Sequence, residues 1–327
     1  MKKIKTLGLL GTGVIGAGWA ARAMHAGIDI IAMDTNPIME NIIKDIIENA
    51  LPHLSSLTEG INMPQRGKLR FTSDLEDVAS NSDFIQENVP ENLDIKKAVL
   101  SKVSKNSNSD IIIASSTSGF MPSEMQVSVS EPHRFLVGHP FNPVYLCPLV
   151  EIVGGRLTSL NTKKAAKGFY ESLGMHALLV RKEVPGHISD RLQEAMWREI
   201  LHALNDDIAT TKELDESIAY GPGLRWAIMG MNQIYMMAGG SGGARHFIKQ
   251  FGPALEWPWT HLKAPPLTED IINRFVEGTA EQAGGKSIKE LEHIRDECLT
   301  AIQKILAKHN IGAGTALNKL KERNNRE

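Results

Sequence analysis

The sequence predicts an α/β fold, a Rossmann-type doubly wound sheet followed by an all-α C-terminal domain. Three observations support this prediction. Short apolar runs alternate with amphipathic stretches through the first half of the chain, which is the pattern of βαβ units. A glycine-rich turn joins the first apolar run to the first amphipathic stretch, and after Val184 only helical spacing remains. The 327 residues exceed one usual compact core, so we expect two domains, at 1–185 and 186–327.

Apolar runs bounded by turn residues predict the strands of the first domain, at 4–11, 28–34, 82–89, 110–116, 134–139, 149–155 and 176–182. Between the first two strands, residues 14–27 have helical spacing and stop at Gly27, which can end a helix. Pro37 suits the first turn of a second helix over 37–51, because this turn leaves its N–H groups unpaired. In the second domain, helical spacing of apolar residues predicts helices at 188–206, 211–221, 224–240, 268–283 and 287–310.

The composition argues against several classes of function. Hydrophobic residues make up 42% of the chain and charged residues 23%, as in an ordinary globular protein. The net charge of -2 argues against a nucleic-acid partner, which would require a clustered basic surplus. No apolar run in the sequence approaches the roughly 20 residues of a membrane span. Cys147 and Cys298 stand far apart without metal-ligand spacing, so we expect a cytoplasmic protein with no bound metal.

The glycine-rich turn is a candidate dinucleotide site. It follows the first predicted strand, opens the first predicted helix and consists of Gly11-Thr12-Gly13-Val14-Ile15-Gly16. Gly11 permits a tight turn, Gly13 lets the backbone approach a pyrophosphate, and Gly16 lets the helix pack against the strand. The helix N-terminus offers N–H groups to the phosphates. Asp34, at the end of the next strand, would accept hydrogen bonds from ribose hydroxyls and repel a 2′-phosphate, so the predicted cofactor is NAD rather than NADP.

His139 and Glu151 form a candidate acid–base pair. His139 ends a predicted strand, at the edge where open α/β sheets bind ligands. Glu151 lies in the next apolar run, and Pro140, Pro143 and Pro148 exclude a helix between the two residues. If the two strands are neighbours, the loop could bring the carboxylate against the imidazole, where it would fix the tautomer and stabilise the protonated form of a general base. A capped loop histidine and an edge glutamate explain the spacing equally well.

Six segments resemble, in order and spacing, the L-3-hydroxyacyl-CoA dehydrogenase superfamily: GTGVIG, ENVPEN, ASSTSG, GHPFNPV, LVEIV and VPGHISDRLQ. The resemblance covers residues 4 to about 205. It implies that His139 removes the hydroxyl proton of a substrate, with Glu151 as its partner, and that Ser118 binds the substrate oxygen or the nicotinamide. By position in the matched motifs, the resemblance also implies three residues that line the cofactor: Glu91, Lys96 and Asn142.

One position departs from the pattern of the superfamily, which usually has asparagine where this chain has Asp190. An asparagine can donate a hydrogen bond to a developing oxyanion, whereas an ionised aspartate cannot donate and would repel it. Two interpretations stay open. Asp190 pairs with Arg191 or Arg198 in a structural role, or it faces a substrate that is not the usual acyl-CoA.

The second domain resembles the branch of this superfamily that oxidises L-carnitine to 3-dehydrocarnitine, through residues 220–231 and 242–259. Candidate substrate-binding residues are Ser118 and Arg225 for the carboxylate, and Asp190 and Trp226 for the trimethylammonium group. Aromatic faces recognise quaternary ammonium groups, although a tryptophan at helical spacing usually belongs to a core.

The helices after residue 205 carry more apolar surface than one sheet edge can cover, which predicts a homodimer through the helical domain. Two alternatives to carnitine oxidation remain at this point. One is a 3-hydroxybutyryl-CoA or L-gulonate-type dehydrogenase of the same superfamily. The other is a non-catalytic NAD-binding protein.

Overall fold

The computed structural model describes residues 4–261, 263, 266 and 268–326, and the chain divides into two compact units, formed by residues 1–190 with 296–327 and by residues 191–295. The second unit is therefore smaller than the predicted helical domain of 186–327. The last segment of the chain packs with the first unit because Gln303 donates a hydrogen bond to the carbonyl of Leu146 (3.0 Å) and Tyr145 donates one to Asp296. Such long-range bonds leave no periodic signal in the sequence.

The strands described in the first unit form one sheet: β1 (Thr6–Leu10), β2 (Asp29–Met33), β3 (Leu69–Thr72), β4 (Phe84–Glu87), β5 (Ile112–Ser115), β6 (Phe135–Pro140), β7 (Leu149–Gly154) and β8 (His176–Val180). Their order is β3-β2-β1-β4-β5-β6-β7-β8. Strands β1 to β6 are parallel, and β7 and β8 run in the opposite direction. The order reverses between β1 and β4, which confirms the predicted doubly wound topology. The sequence missed β3 because its residues are only half-buried or exposed and form no apolar run.

Six helices alternate with these strands: α1 (Val14–His25), α2 (Met39–Leu57), α3 (Leu75–Asn81), α4 (Leu93–Asn106), α5 (Pro122–Gln126) and α6 (Leu160–Ser172). Polar side chains begin several of them; Asn92, for example, accepts hydrogen bonds from the first N–H groups of α4. Neighbouring strand residues belong to different core clusters, Leu9 to one and Leu10 to the other. The sheet is therefore covered by apolar side chains on both faces, as parallel sheets require.

The remaining helices are α7 (Ser189–Asn205), α8 (Thr211–Ala219), α9 (Pro222–Trp226), α10 (Met231–Ala238), α11 (Gly243–Phe251), α12 (Glu269–Ala283), α13 (Ile288–Lys308) and α14 (Gly314–Asn324). The segment 224–240, predicted as one helix, is divided because Gly230 has an extended backbone and begins α10. Helix α11 was not predicted. Across the described residues, no helix combines the length and apolar character needed to cross a membrane.

Candidate active site

The glycine-rich turn after β1 has the close backbone packing that a dinucleotide site needs. Gly11 has a φ of 88°, which L side chains rarely adopt, and a Cβ there would lie 2.7 Å from the carbonyl oxygen of Asn88. A Cβ at Gly16 would lie 2.1 Å from the carbonyl oxygen of Gly11. At Gly13, a Cβ would meet no described atom within 4 Å. The turn is therefore packed on one side and leaves space at the start of α1.

The amino end of α1 and the Asp34 carboxylate could hold the cofactor. No side chain among the described residues caps α1, so its first N–H groups can bind phosphates. Asp34 accepts hydrogen bonds from the N–H and the hydroxyl of Thr12, both at 3.0 Å, and from the N–H of Asn36 at 3.1 Å. Its oxygens retain lone pairs for ribose hydroxyls. Thr12 is buried and Val14 and Ile15 are at least partly exposed, so these residues fit a bound NAD.

His139 and Glu151 lie directly opposite each other on the antiparallel strands β6 and β7. Opposed residues of such a pair point to the same face of the sheet. Glu151 Oε2 lies 3.0 Å from His139 Nδ1, and both side chains are buried. The contact that the sequence left open is therefore made.

The second oxygen of Glu151 holds the start of α7. Glu151 Oε1 accepts hydrogen bonds from the N–H groups of Ile188 and Ser189, each at 3.1 Å, and from the Ser189 hydroxyl at 3.3 Å. Burial alone would raise the pKa of Glu151, but the hydrogen bonds from His139, Ser189 and Ile188 bring this pKa below its usual value. Glu151 is therefore ionised at neutral pH and joins the imidazole to the helix start.

Among the described residues, three further side chains face His139. The ring of Phe141 packs edge to face against that of His139, with centroids 4.8 Å apart. Asp190 Oδ2 lies 3.6 Å from His139 Nε2, and the ring of His187 lies 5.4 Å from that of His139 between centroids. His187 Nε2 lies 3.1 Å from the carbonyl oxygen of Thr117, while its Nδ1 has no hydrogen-bond partner among the described residues. Desolvation by burial lowers the pKa of His187, which keeps the ring neutral. Sequence reasoning identified Asp190 as a candidate but missed His187, whose only signal was its place in the same matched motif, three residues before Asp190.

The loop after β5 carries Ser118 and is held by a partly buried ion-pair network. Glu91 Oε1 accepts hydrogen bonds from the N–H groups of Ser118 (3.2 Å) and Gly119 (3.3 Å). Glu91 Oε2 lies 3.2 Å from Lys96 Nζ, which also donates to Glu87 at 2.9 Å. Lys96 and Glu87 are buried, and burial raises the pKa of Glu87. Lys96 and Glu91 therefore anchor the loop on which Ser118 is exposed, and their contact with the cofactor stays a prediction.

Arg22 of α1 holds the loop between β6 and β7. Its guanidinium donates hydrogen bonds to the carbonyls of Val144 (2.7 Å), Leu173 (3.1 Å) and Cys147 (3.4 Å). Burial lowers the pKa of Arg22 to about 10, which leaves it charged at neutral pH. The helix that opens with the glycine motif therefore also fixes the loop that carries the exposed Asn142.

The remaining substrate-binding candidates lie in the helical unit. Arg225 is exposed and Trp226 half-buried at the end of α9. Trp257 and Trp259 pack edge to face with their centroids 4.9 Å apart, and both are exposed. The roles of Arg225 and Trp226 in substrate binding stay predictions.

One group of side chains in the described part of the helical unit brings metal-ligating atoms together. Atoms of His202, Asp206 and His261 lie within 4.8 Å of one another. The two imidazoles stack, with centroids 4.1 Å apart and planes at 22°, and His202 Nε2 lies 2.6 Å from the carbonyl oxygen of Lys263. Because His202 Nε2 already contacts this carbonyl, we assign no metal to the group.

Comparison with known proteins identifies the family. The family model of the 3-hydroxyacyl-CoA dehydrogenase NAD-binding domain matches residues 6–184, and that of the C-terminal domain matches residues 186–287. The chain belongs to the 3-hydroxyacyl-CoA dehydrogenase family. It is accordingly an NAD-dependent oxidoreductase that acts on a CH–OH group.

Within this family the chain is similar to L-carnitine dehydrogenases. It is 52% identical over 300 residues to that of Pseudomonas aeruginosa, covering 92% of this chain and 93% of the relative. It is 48% identical over 312 residues to that of Bacillus cereus, covering 95% of each chain. A solved NAD+-dependent 5-formyl-3-hydroxy-2-methylpyridine 4-carboxylic acid 5-dehydrogenase superposes with a TM-score of 0.78 at 26% identity, covering 93% of this chain and 99% of that one.

Proposed function

We propose that this family member oxidises L-carnitine to 3-dehydrocarnitine with NAD, using His139 as general base and Glu151 as its partner. The relatives at 48% and 52% identity that carry the name L-carnitine dehydrogenase support the substrate. The observation that carries the chemistry is the buried pair in which the imidazole Nδ1 lies 3.0 Å from a carboxylate of lowered pKa. A general base needs such a partner to fix its tautomer and stabilise its protonated form.

The mechanism follows from the two nitrogens of His139. Because Nδ1–H donates to Glu151, the lone pair of the neutral ring lies on Nε2. The carnitine hydroxyl donates a hydrogen bond to Nε2, and its proton moves to Nε2 as the hydride leaves C3 of carnitine. Bound NAD supplies the hydride acceptor at C4 of its nicotinamide. Glu151 stabilises the imidazolium that results.

Residues around the pair would position the reactants. Ser118, exposed on the loop after β5, would bind the substrate oxygen or the nicotinamide. Asn142, exposed after β6, would line the cofactor. Glu91 and Lys96 would act mainly through the loop that they anchor, because the Lys96 ammonium is buried and already bonded to Glu87 and Glu91.

The test is NADH formation by the purified protein with NAD and, in turn, L-carnitine, L-gulonate and 3-hydroxybutyryl-CoA. We expect turnover with L-carnitine, and a loss of about 10²-fold or more in kcat for His139→Gln with an unchanged Kd for NADH. Preference for the CoA thioester would contradict the proposed substrate. Near-normal turnover by His139→Gln would contradict the proposed base.

We also propose a homodimer through the helical unit and a cytoplasmic location. The helical unit exposes large apolar side chains, among them Leu255 (88%), Trp259 (69%) and Ile248 (67%), more than an isolated surface usually tolerates. Cys147 and Cys298 are both thiols, as in a reducing compartment. Light scattering across a dilution series would give the oligomeric state, and a monomer at every concentration would contradict the dimer.

A further inference from the structure

A second carboxylate lies beside the reactive nitrogen of His139. Asp190 Oδ2 is 3.6 Å from His139 Nε2, which is longer than a hydrogen bond. The Asp190 side chain is 30% exposed, against 4% for His139, so a ligand that approaches Nε2 also meets Asp190. We propose that Asp190 is a specificity-determining residue that selects substrates with a fixed positive charge on the carbon next to the carbinol carbon.

This inference rests on the proposed function, because it takes His139 Nε2 as the acceptor of the substrate hydroxyl. A hydroxyl oxygen bound there lies about 2.8 Å from Nε2. In a staggered chain, a nitrogen on the carbon next to the carbinol lies about 3 to 4 Å from that oxygen. The Asp190 carboxylate and such a nitrogen therefore lie on the same side of the imidazole, within reach of a direct ionic contact.

Glu151 and His187 are the other titratable groups that face His139 among the described residues. Both oxygens of Glu151 already accept hydrogen bonds, from His139 on one side and from Ile188 and Ser189 on the other. The ring of His187, which also faces His139, is neutral and brings no competing positive charge. The negative charge of the Asp190 carboxylate, which lies near Nε2, attracts an ammonium group bound there. An uncharged tail in the same place gains no such attraction.

The decisive comparison uses two substrates that differ in one atom. L-Carnitine carries a trimethylammonium group, and 3-hydroxy-5,5-dimethylhexanoate carries a tert-butyl group of the same shape. We expect the wild-type protein to favour L-carnitine by about tenfold or more in kcat/KM, and Asp190→Asn to lose about tenfold of that preference, chiefly through KM for L-carnitine. Any effect of the substitution on His139 itself is common to both substrates and cancels in their ratio.

A matched control separates this effect from a general loss of charge on α7. Glu194 is one helical turn beyond Asp190 and pairs with Arg198, so Glu194→Gln should keep the wild-type preference. An unchanged preference in a folded Asp190→Asn variant that still binds NAD would overturn the inference alone. Absence of any L-carnitine oxidation by the wild-type protein would instead overturn the proposed function.

A second measurement needs no variant and remains informative if Asp190→Asn fails to fold. In 3-hydroxy-5-trimethylammoniopentanoate the ammonium group is one methylene farther from the carbinol. Because Asp190 lies at Nε2 and not at a remote pocket, this homologue should lose about tenfold in kcat/KM relative to L-carnitine in the wild-type protein. Equal turnover of the two compounds would show that the charge is recognised elsewhere.

Discussion

Replacing Glu151 by glutamine tests whether one carboxylate serves both the base and the start of α7. The ionised side chain accepts hydrogen bonds on both oxygens, with Oε2 facing His139 and Oε1 facing the N–H groups of Ile188 and Ser189. A glutamine has one accepting oxygen and one donating NH2 group. It can therefore satisfy one side of this arrangement and must present its NH2 group to the other.

The two orientations of the glutamine have different costs. If its oxygen faces His139, two partly buried N–H donors at the start of α7 meet an NH2 group, which costs at most about 1–3 kcal/mol for each donor. If its NH2 group faces His139, the imidazole must accept at Nδ1 and carry its proton on Nε2, where the mechanism needs the lone pair. The second orientation keeps the helix start intact, so the variant should adopt it. We expect a loss of about 10²-fold in kcat with a loss of about 1–2 kcal/mol in stability from the missing charge.

The assay pairs NADH formation with thermal unfolding and NAD binding for the wild-type protein and Glu151→Gln. The expected melting temperature falls by only a few degrees, about 2–4 °C per kcal/mol, while the Kd for NAD is unchanged. The pKa of Glu151 is lowered in the folded state, so its stabilisation is present above about pH 4.3 and is lost as the pH falls through the folded pKa. The difference in free energy of unfolding between the wild-type protein and Glu151→Gln should therefore become smaller at acidic pH.

Glu183 supplies the control for this experiment. Its carboxylate accepts hydrogen bonds from the N–H (2.9 Å) and hydroxyl (2.5 Å) of Ser123, so Glu183→Gln removes a comparable acceptor without touching the imidazole. This control should lose stability but keep its turnover. A Glu151→Gln variant that retains more than about a third of the wild-type kcat would refute the argument, because the wrong tautomer cannot act as a base.

Two further predictions address the cofactor and the second histidine. Asp34→Ala should weaken NAD binding and narrow the preference for NAD over NADP, measured as the ratio of kcat/KM values, because a carboxylate that repels a 2′-phosphate is removed; an unchanged ratio would contradict the assignment. His187→Phe should make stability less dependent on pH below about 6.5, because burial lowers the folded pKa of His187 and the unfolded chain takes up the proton first. Parallel melting-temperature curves for wild type and His187→Phe between about pH 7 and pH 5 would contradict this linkage.

The sequence named candidate residues for the site but left their arrangement open. The glycine motif and Asp34 could be assigned from a short stretch of sequence. Their roles depend only on the order in which a strand, a turn, a helix and the next strand follow one another. The contact between His139 and Glu151 stayed open because the sequence does not state the direction of β7. Once β7 runs antiparallel to β6, the register places the two side chains opposite each other.

The features that the sequence missed depend on burial or on contacts between distant segments. Lys96 is expected to line the cofactor by its position in the matched motifs, and nothing in the sequence indicated that its ammonium is buried against Glu87. The return of residues after Asp296 to the first unit depends on hydrogen bonds to the loop between β6 and β7. Neither feature has a periodic pattern or a characteristic spacing.

Glu151 connects His139 to the beginning of α7 through its hydrogen bonds. His139 is fixed on one oxygen, while the N–H groups that begin α7 are fixed on the other, and Asp190 follows one residue after Ser189. A displacement of the helix start would therefore change both the support of the imidazole tautomer and the distance from Asp190 to Nε2. Proton transfer and charge selection are consequently expected to respond together to substitutions between Pro185 and Ser189, even where the substituted side chain touches no substrate.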